Sequence, residues 1–470
     1  MTRSAMWRAR PKATLAVLGS QALLGAALLA FGTTASAVNY PITPEWRATA
    51  EQVAQAGVPL SELAPNAPDS YVVKRGDTLW AISGMFLLRP WRWPELWGMN
   101  YDQIRNPHLI YPGQILYLER LGDRARLAQI TGFMAGHAYL TQSPRKSMDL
   151  CLEAIRLSQE LNDPSLEVAP NIYLGQAFHA LGRFRKSIAA LERNFIILPN
   201  VDRKISLGLP SLPRIMTARW IALSLAELGA FDAAEDYVKQ GDVGVDHPRP
   251  FDQVYSQSAL GFVLLVRGEF ERAREVTAEA LALADKRDLP FMIPVVASQL
   301  GLLLAYLGEQ QEALLLTRRA VRTAEDIGIL AGRSRWYARL AEACLLAGDY
   351  AEAMQYTELA LQIAHDLHEL GYACYALRLR GLIAQRTSRG IDAARADITE
   401  ACMRARRLGM APLVAKCSLD LAVLERQAGR PALAHQHFSQ ALRGFRRLKM
   451  ASWSERAKRS ADELLAMAEP

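Results

Sequence analysis

The sequence contains little cysteine and no cysteine pattern. Only five cysteines occur among 470 residues, an odd number whose spacing matches neither a zinc site nor a disulfide framework. Neither a zinc site nor a disulfide framework can therefore be the basis of the fold. We expect buried, small apolar residues, although a pair such as Cys374 and Cys402 could form a disulfide in an oxidising compartment. The five are Cys151, Cys344, Cys374, Cys402 and Cys417.

Strong charge of one sign is also lacking. The formal net charge is +7, and it falls to +3 if the four basic residues of the first twelve positions leave with a signal peptide. That value is too small to indicate a nucleic-acid partner. Catalytic patterns are weak as well: no P-loop occurs, and His365 and His368 share a helix face without a third ligand at metal-site spacing. We predict no enzyme, no metal and no cofactor.

The N-terminus has the three parts of a secretory signal peptide. Basic residues precede an apolar stretch at residues 15–31, and Ala35 and Ala37 form a small-x-small cleavage site. Residues 1–37 are predicted to be removed, which places the protein in the periplasm or cell envelope. The alternative is an uncleaved anchor, because residues 15–31 are near the lower limit for crossing a bilayer. The basic residues are Arg3, Arg8, Arg10 and Lys12.

Residues 71–118 predict a small module of two strands and two helices. A β-branched run at 71–74 ends in the turn signal Arg-Gly-Asp, and Asp77 or Thr78 can cap a helix with apolar positions at Leu79, Ile82 and Phe86. Pro94 can open a second helix, and a Pro-Gly turn at 112–113 precedes a second short strand. The predicted order is βααβ.

This segment resembles the LysM family of peptidoglycan- and chitin-binding modules. Its two signature loops, Gly-Asp-Thr-Leu at 76–79 and Ile-x-Pro-Gly-Gln at 110–114, are both present. The resemblance implies a shallow groove between the loops for a glycan that contains N-acetylglucosamine, such as peptidoglycan. The residues implied in binding are Gly76, Asp77, Thr78, Leu79, Ile110, Tyr111, Pro112 and Gly113.

The connection between the two helices is longer than in the common LysM pattern and is rich in tryptophan. Trp91, Trp93 and Trp97 lie in it or next to it. A domain this small needs large core residues, so we expect the three to pack inside, with sugar stacking as the alternative. Residues 38–68 are predicted to be a linker with one weakly helical patch, and the module is assigned to residues 69–121.

From residue 124 to residue 470 the sequence becomes Ala- and Leu-rich and repetitive. A Leu-Gly pair followed by a helix-ending glycine recurs, and Gly268, Gly308 and Gly348 are forty residues apart. Alanines follow at fixed places in each second helix. These features resemble tetratricopeptide (TPR) repeats, but the standard period is about 34 residues. We therefore predict an α-solenoid of TPR-like helix pairs, with longer helices or joints and an irregular loop between Gly182 and Gly229.

In TPR proteins the position after the Leu-Gly pair lines a concave groove. Here that position holds Gln176, Phe262, Leu302 and Glu342 rather than asparagine. This disfavours capture of a peptide carboxylate by an asparagine clamp and favours an apolar groove for a protein partner, or an array closed on itself. Two basic clusters, at residues 404–407 and 443–449, are expected to be solvated helix faces, with contact to acidic wall polymer or lipid as the sharper alternative.

These predictions together describe a mainly α protein: a βααβ LysM module followed by a TPR-like solenoid. The favoured function is a non-catalytic cell-envelope adaptor that binds peptidoglycan and recruits an unidentified protein. The long-period repeats also resemble the helical sensor arrays of bacterial ATPase regulators and nucleotide cyclases. The alternative is therefore a signalling sensor or regulatory scaffold, membrane-tethered or cytoplasmic, in which the LysM-like module is structural.

Overall fold

The computed structural model describes residues 42–58, 62–118, 121–200, 206–244 and 248–466. The predicted signal peptide and its cleavage site lie outside these residues. The first part of the described chain contains α1 (Pro44–Ala56), β1 (Ser70–Val72), α2 (Leu79–Phe86), α3 (Trp93–Met99) and β2 (Ile115–Tyr117). The predicted βααβ order is confirmed, with α1 added before it.

The two strands form an antiparallel pair at the centre of the module. Ser70 lies opposite Tyr117, and Val72 lies opposite Ile115. Only one face of so short a pair can be covered, and both helices supply apolar side chains to it. The fully buried residues of this core include Ile82, Phe86, Leu96, Trp97 and Leu116.

The helix α1 packs on the module, so the prediction of a tether is wrong for these residues. Ala50 is fully buried. A Cβ added to Gly98 of α3 would collide with the backbone of Ala50. The rings of Trp46 and Trp93 meet edge to face at 4.9 Å. The predicted helical patch is confirmed, but its apolar face is covered by the module rather than exposed to solvent.

The rest of the described chain consists of helices joined by short turns. They are α4 (Leu121–Thr141), α5 (Pro144–Glu160), α6 (Val168–Ala180), α7 (Phe184–Ile197), α8 (Pro213–Leu228), α9 (Phe231–Asp242), α10 (Pro250–Arg267), α11 (Phe270–Lys286), α12 (Ile293–Leu307), α13 (Gln310–Asp326), α14 (Arg333–Leu346), α15 (Tyr350–Asp366), α16 (Leu370–Arg386), α17 (Gly390–Leu408), α18 (Ala411–Gln427), α19 (Pro431–Arg447) and α20 (Ala451–Ala466). None of the described helices has the length and apolar character needed to cross a bilayer.

The repeat residues have the roles that their spacing predicts. Gly268 and Gly308 end α10 and α12 in the left-handed region, at φ values of 95° and 93°, where a side chain would be strained. Within a pair, a Cβ added to Gly301 would lie 2.8 Å from the carbonyl oxygen of Ala313. The small residues therefore let paired helices cross closely. The repeated alanines are buried: Ala273, Ala280, Ala313, Ala320, Ala353, Ala360, Ala434 and Ala441.

Longer elements explain the forty-residue period. The second helices α11, α13, α15 and α19 each have 17 residues, and residues 287–292 and 327–332 form extended joints between pairs. The irregular part of the array is also where it was predicted. A 3-10 turn at Leu198–Asn200 and a loop at 206–212 precede Pro213, which opens α8.

The solenoid coils until its later helices contact its earlier ones. The backbone N–H of Leu330, just before α14, donates to the carbonyl of Leu140 in α4 at 2.8 Å. Further along, Tyr375 Oη of α16 donates to Glu227 of α8 at 2.8 Å, and Trp453 of α20 lies against Gly268 at the end of α10. One superhelical turn therefore takes four to five helix pairs. The predicted α-solenoid is confirmed, and it closes on itself.

The five cysteines are free and buried, as expected for small apolar residues. The pair named from the sequence, Cys374 and Cys402, is not bonded. Cys402 instead hydrogen-bonds Cys417 on the neighbouring helix, and this bond lowers the pKa of Cys402 to about 7.

Candidate functional site

The first signature loop is a turn fixed by one carboxylate. Asp77 Oδ2 accepts a hydrogen bond from the backbone N–H of Lys74 at 2.7 Å and from Tyr71 Oη at 3.0 Å, and the Asp77 N–H returns to the Lys74 carbonyl at 3.1 Å. Gly76 takes a φ of 96° with no atom near its Cβ position. A glycine is therefore needed for the backbone conformation rather than for space.

The end of this loop starts the helix α2. Thr78 is the N-cap, and its Oγ1 accepts from the N–H of Ala81 at 3.1 Å. Of the two caps considered from the sequence, the structure uses Thr78, while Asp77 organises the turn. Leu79 is buried in the core. Its side chain supports the loop from inside, so only its backbone lies near the surface that the loop forms.

The second signature loop lies directly beside the first. The N–H of Gly113, at a φ of 93°, donates to the Val73 carbonyl at 2.8 Å, and the Val73 N–H donates to Gln114 at 2.8 Å. Gln114 Oε1 in turn accepts from the Tyr111 N–H at 2.7 Å. These bonds extend the strand pair by one step and hold both loops at the same end of it.

The predicted residues thus come together, with different exposure. Gly76, Thr78, Tyr111, Pro112 and Gly113 are exposed, whereas Asp77 and Ile110 are half-buried. The surface is built mainly from turn backbone, with an aromatic side chain at Tyr111, which is 59% exposed. Such a surface can hydrogen-bond amides and hydroxyls and can cover a sugar ring, and its one carboxylate, Asp77, is engaged in holding the turn.

Trp80 is a surface residue that the sequence reasoning missed. It follows Leu79 in α2 and is 56% exposed. The signal was present in the helical periodicity: because Leu79, Ile82 and Phe86 form the buried face, the residue next to Leu79 has to point away from the core.

The three tryptophans of the connection have different roles. Trp97 is 1% exposed and its Nε1 donates to the Ile104 carbonyl at 2.7 Å, so the core prediction is confirmed for it. Trp93 is half-buried against Trp46. The prediction is wrong for Trp91, which is 65% exposed. A 3-10 turn at Pro90–Arg92 carries it outside the core.

The inner face of the solenoid is the second place where functional groups gather. The four groove positions named from the sequence line two adjacent internal cavities there: Gln176, Phe262, Leu302 and Glu342. Much of this face is apolar, as at Phe262 and Leu302, but charged residues of the first helices share it. Arg378 pairs with Glu342 at 3.2 Å and with Asp420 at 2.6 Å, and burial raises the pKa of Glu227 to about 7.

The remaining candidates have ordinary roles. His368 Nδ1 lies 2.8 Å from the carbonyl of His365, and the described residues contain no group of His, Cys, Asp or Glu arranged to hold a metal ion. The basic clusters are exposed on helix surfaces. Three of their members, Arg406, Arg443 and Arg447, line one surface crevice.

The sequence pattern of the LysM domain family matches residues 71–118. Residues 71–118 are a LysM domain. The Bacillus subtilis (strain 168) protein YqbP, described as uncharacterized, is 40% identical over 60 residues, which are 11% of this chain and 27% of that protein. The match thus spans about a quarter of that relative.

The helical part resembles solved Rap proteins. A Rap protein complexed with competence and sporulation factor superposes with a TM-score of 0.54 at 15% identity, covering 71% of this chain and 89% of that one. The Rap conjugation gene regulator of plasmid pLS20, in complex with the Phr* peptide, gives a TM-score of 0.46 at 14% identity, covering 74% and 97%. The first of these superpositions shows that the solenoid has a TPR-like fold that resembles that of a Rap protein.

Proposed function

We propose that the protein is a non-catalytic adaptor of the cell envelope. Its LysM domain binds the N-acetylated glycan of peptidoglycan, and its solenoid engages a protein partner. LysM domains and TPR-like arrays are both typically binding modules, so two of them in one chain suit a scaffold. The proposed location in the cell envelope depends on export through residues 1–37. A membrane is a partner only if that segment stays attached.

One observation carries the glycan half of this proposal. The two signature loops are held side by side by the hydrogen bonds between Val73 and residues 113–114. Their outer surface combines free turn backbone with the exposed ring of Tyr111. An acetamide group needs hydrogen-bonding backbone, and its sugar ring needs an apolar surface. We infer that Trp80, exposed beside the first loop, adds to that surface.

Sedimentation with purified peptidoglycan sacculi tests the glycan half. We expect the wild-type protein to pellet with sacculi, and the Tyr111→Ala and Trp80→Ala variants to pellet several-fold less. Trp91→Ala is the matched control, since it removes another exposed tryptophan of the same domain, one that belongs to the turn at Pro90–Arg92 rather than to the start of α2. An absence of co-sedimentation, or equal losses for Trp80→Ala and Trp91→Ala, would count against the assignment.

A regulatory sensor is the second candidate, and the solenoid's fold favours it. A Rap protein of the same fold has been crystallised with competence and sporulation factor, and the array here also surrounds internal cavities. In this version the LysM domain is structural and the protein is cytoplasmic or tethered to a membrane. Fusing residues 1–45 to a reporter that is active only outside the cytoplasm separates the two candidates. Reporter activity together with release of the reporter from the membrane supports the envelope adaptor, activity that stays with the membrane supports a tethered protein, and absence of activity supports a cytoplasmic sensor.

A further inference from the structure

A cavity of about 430 Å³ lies on the inner face of the first superhelical turn. The helices α4, α6, α8, α10, α12 and α14 all contribute to its wall. Large aromatic side chains form much of its wall, among them Tyr139, Tyr173, Trp220, Tyr255 and Trp336. Its size is within the range of small-molecule sites. His137 and Phe291, which are exposed, lie at its edge and leave a route of entry.

Two arginines interrupt this aromatic wall. Arg219 is only 4% exposed, and its Nη1 donates to the Tyr255 carbonyl at 3.3 Å and to Ser258 Oγ. Its Nε has no hydrogen-bond partner. The Nε of Arg335 is likewise buried without a partner, and its guanidinium lies 5.2 Å from the centre of the Tyr372 ring.

Within the described part of the chain no carboxylate forms an ion pair with either arginine, although the charge of Arg335 partly offsets the rise that burial causes in the pKa of Glu227 and of Glu369. The residues that line the cavity there include neither Asp nor Glu. The buried carboxylate Glu369 accepts from Ser334 Oγ and from the Gly332 N–H, and the buried Asp252, next to Phe251, pairs with Arg249 at 2.7 Å. Burial, together with the positive charge of Arg335, lowers the pKa of Arg219.

Arg378, on the same inner face, is arranged differently. It is about as buried as Arg219, but Glu342 and Asp420 both pair with it. A buried charge without a counter-charge costs stability, so two unpaired guanidinium groups beside one cavity require a reason. An anion held by both would supply the missing charge and would satisfy the free N–H groups.

We propose that this cavity binds a small organic acid, with its anionic group between Arg219 and Arg335 and its apolar body against the aromatic wall. The site is separate from the glycan surface and does not depend on it. The protein would then carry two ligands: a polymer on the LysM domain and a small acid inside the solenoid. Occupancy of the second would link two helices that lie three pairs apart in the coil, because α8 supplies Arg219 and α14 supplies Arg335.

Calorimetric titration of the full-length protein tests this site, with 4-phenylbutyrate as the anionic probe and 4-phenylbutan-1-ol as its uncharged match. We expect the acid to bind at least about tenfold more tightly than the alcohol, the effect of a charge-assisted hydrogen bond. Arg335→Gln should abolish that preference, and Arg335→Lys should restore part of it. Equal binding of acid and alcohol, or no binding of either, would overturn the proposal.

Arg443→Gln is the matched control, because it removes the same charge from the surface crevice lined by three arginines. Acid binding should be unchanged in it. If Arg443→Gln loses the acid while Arg335→Gln keeps it, the probe binds the surface and the internal site is wrong. Thermal melting in the absence of ligand completes the test. Arg335 makes no hydrogen bond in the described chain, so Arg335→Gln should melt at or above the wild-type temperature. 4-Phenylbutyrate should raise the melting temperature of the wild type and of Arg443→Gln, but not that of Arg335→Gln.

Discussion

The LysM domain and the solenoid differ in which polar and aromatic residues they bury and which they expose. The LysM domain buries Trp97 to hold a very small core, and it exposes turn backbone, Trp80 and Tyr111. The solenoid is held by small residues at helix crossings, and it encloses arginines and carboxylates within its coil. A two-stranded domain can offer only its surface to a ligand, whereas a coil of helix pairs has an inside. The two proposed ligands, a polymer outside and a small molecule within, follow this difference.

Loss of the Trp97 ring should give the largest effect on stability and should be confined to the LysM domain. Trp97→Ala removes a fully buried ring and its hydrogen bond to Ile104, which costs about 3–5 kcal/mol. Hydrogen exchange read by mass spectrometry should show lost protection at residues 70–117 and little change in α12 to α19. Trp91→Ala should leave both regions protected. Loss of protection throughout the solenoid would show that the two regions fold as one unit.

Glu369→Gln should reveal the cost of a charge buried inside the solenoid. Burial raises the pKa of Glu369 from 4.5 to about 7, so the folded state keeps a proton that the unfolded chain releases between these values. Wild-type stability therefore falls as pH rises from about 4.5 to about 7. Glutamine does not titrate. The stability of the variant relative to wild type should increase between pH 5 and pH 8, by up to about 3 kcal/mol. Urea unfolding of both proteins at pH 5 and at pH 8 measures this change. A stability difference between variant and wild type that is the same at both pH values would contradict the prediction.

Gly301→Ala should loosen one helix pair without affecting the LysM domain. The added Cβ would lie 2.7 Å from Thr317 Cγ2 and 2.8 Å from the Ala313 carbonyl, and such overpacking costs about 1–3 kcal/mol. Thermal melting of the purified variants measures the effect. Gly348→Ala serves as a comparison, since its added Cβ meets no atom and only its φ of 86° is strained. A loss from Gly301→Ala no larger than the loss from Gly348→Ala would show that close helix crossing is not what constrains position 301.

The smallest effect is expected at the contact between superhelical turns. Lys449 Nζ lies 2.7 Å from Asp232 Oδ2, but both side chains are largely exposed. Exposed ion pairs contribute well under about 1 kcal/mol. Lys449→Gln should thus leave the melting temperature almost unchanged, and small-angle scattering should show the same radius of gyration. An expanded coil in this variant would mean that surface charge, rather than packing such as Trp453 against Gly268, holds the turns together.

The repeat pattern of this chain predicted its fold closely, because helix-ending glycines and buried alanines recur at fixed intervals. Gly268 and Gly308 have the backbone conformation that their place in the pattern requires. Residues 44–56 were misjudged for a local reason. Their apolar stripe is short, and only the partner helix α3, with Gly98 facing Ala50, shows that it is covered.

The candidate sites could be predicted only where their residues are close in the sequence. Residues 76–79 and 110–114 form compact motifs, so both loops were found. Trp91 was misplaced because a turn at Pro90–Arg92, rather than helical periodicity, decides its direction. Arg219 and Arg335 are more than a hundred residues apart, and only the coiling of the solenoid brings α8 and α14 to one cavity. No spacing rule connects them.

Titration of the full-length protein with chitotetraose, in wild type and in the Tyr111→Ala and Arg335→Gln variants, tests the central claim most directly. The account predicts that wild type and Arg335→Gln bind the sugar with equal affinity, and that Tyr111→Ala binds about tenfold or more weakly, as expected when an exposed aromatic anchor is lost. Unchanged binding by Tyr111→Ala, or loss of sugar binding in Arg335→Gln, would contradict a glycan site confined to the LysM loops.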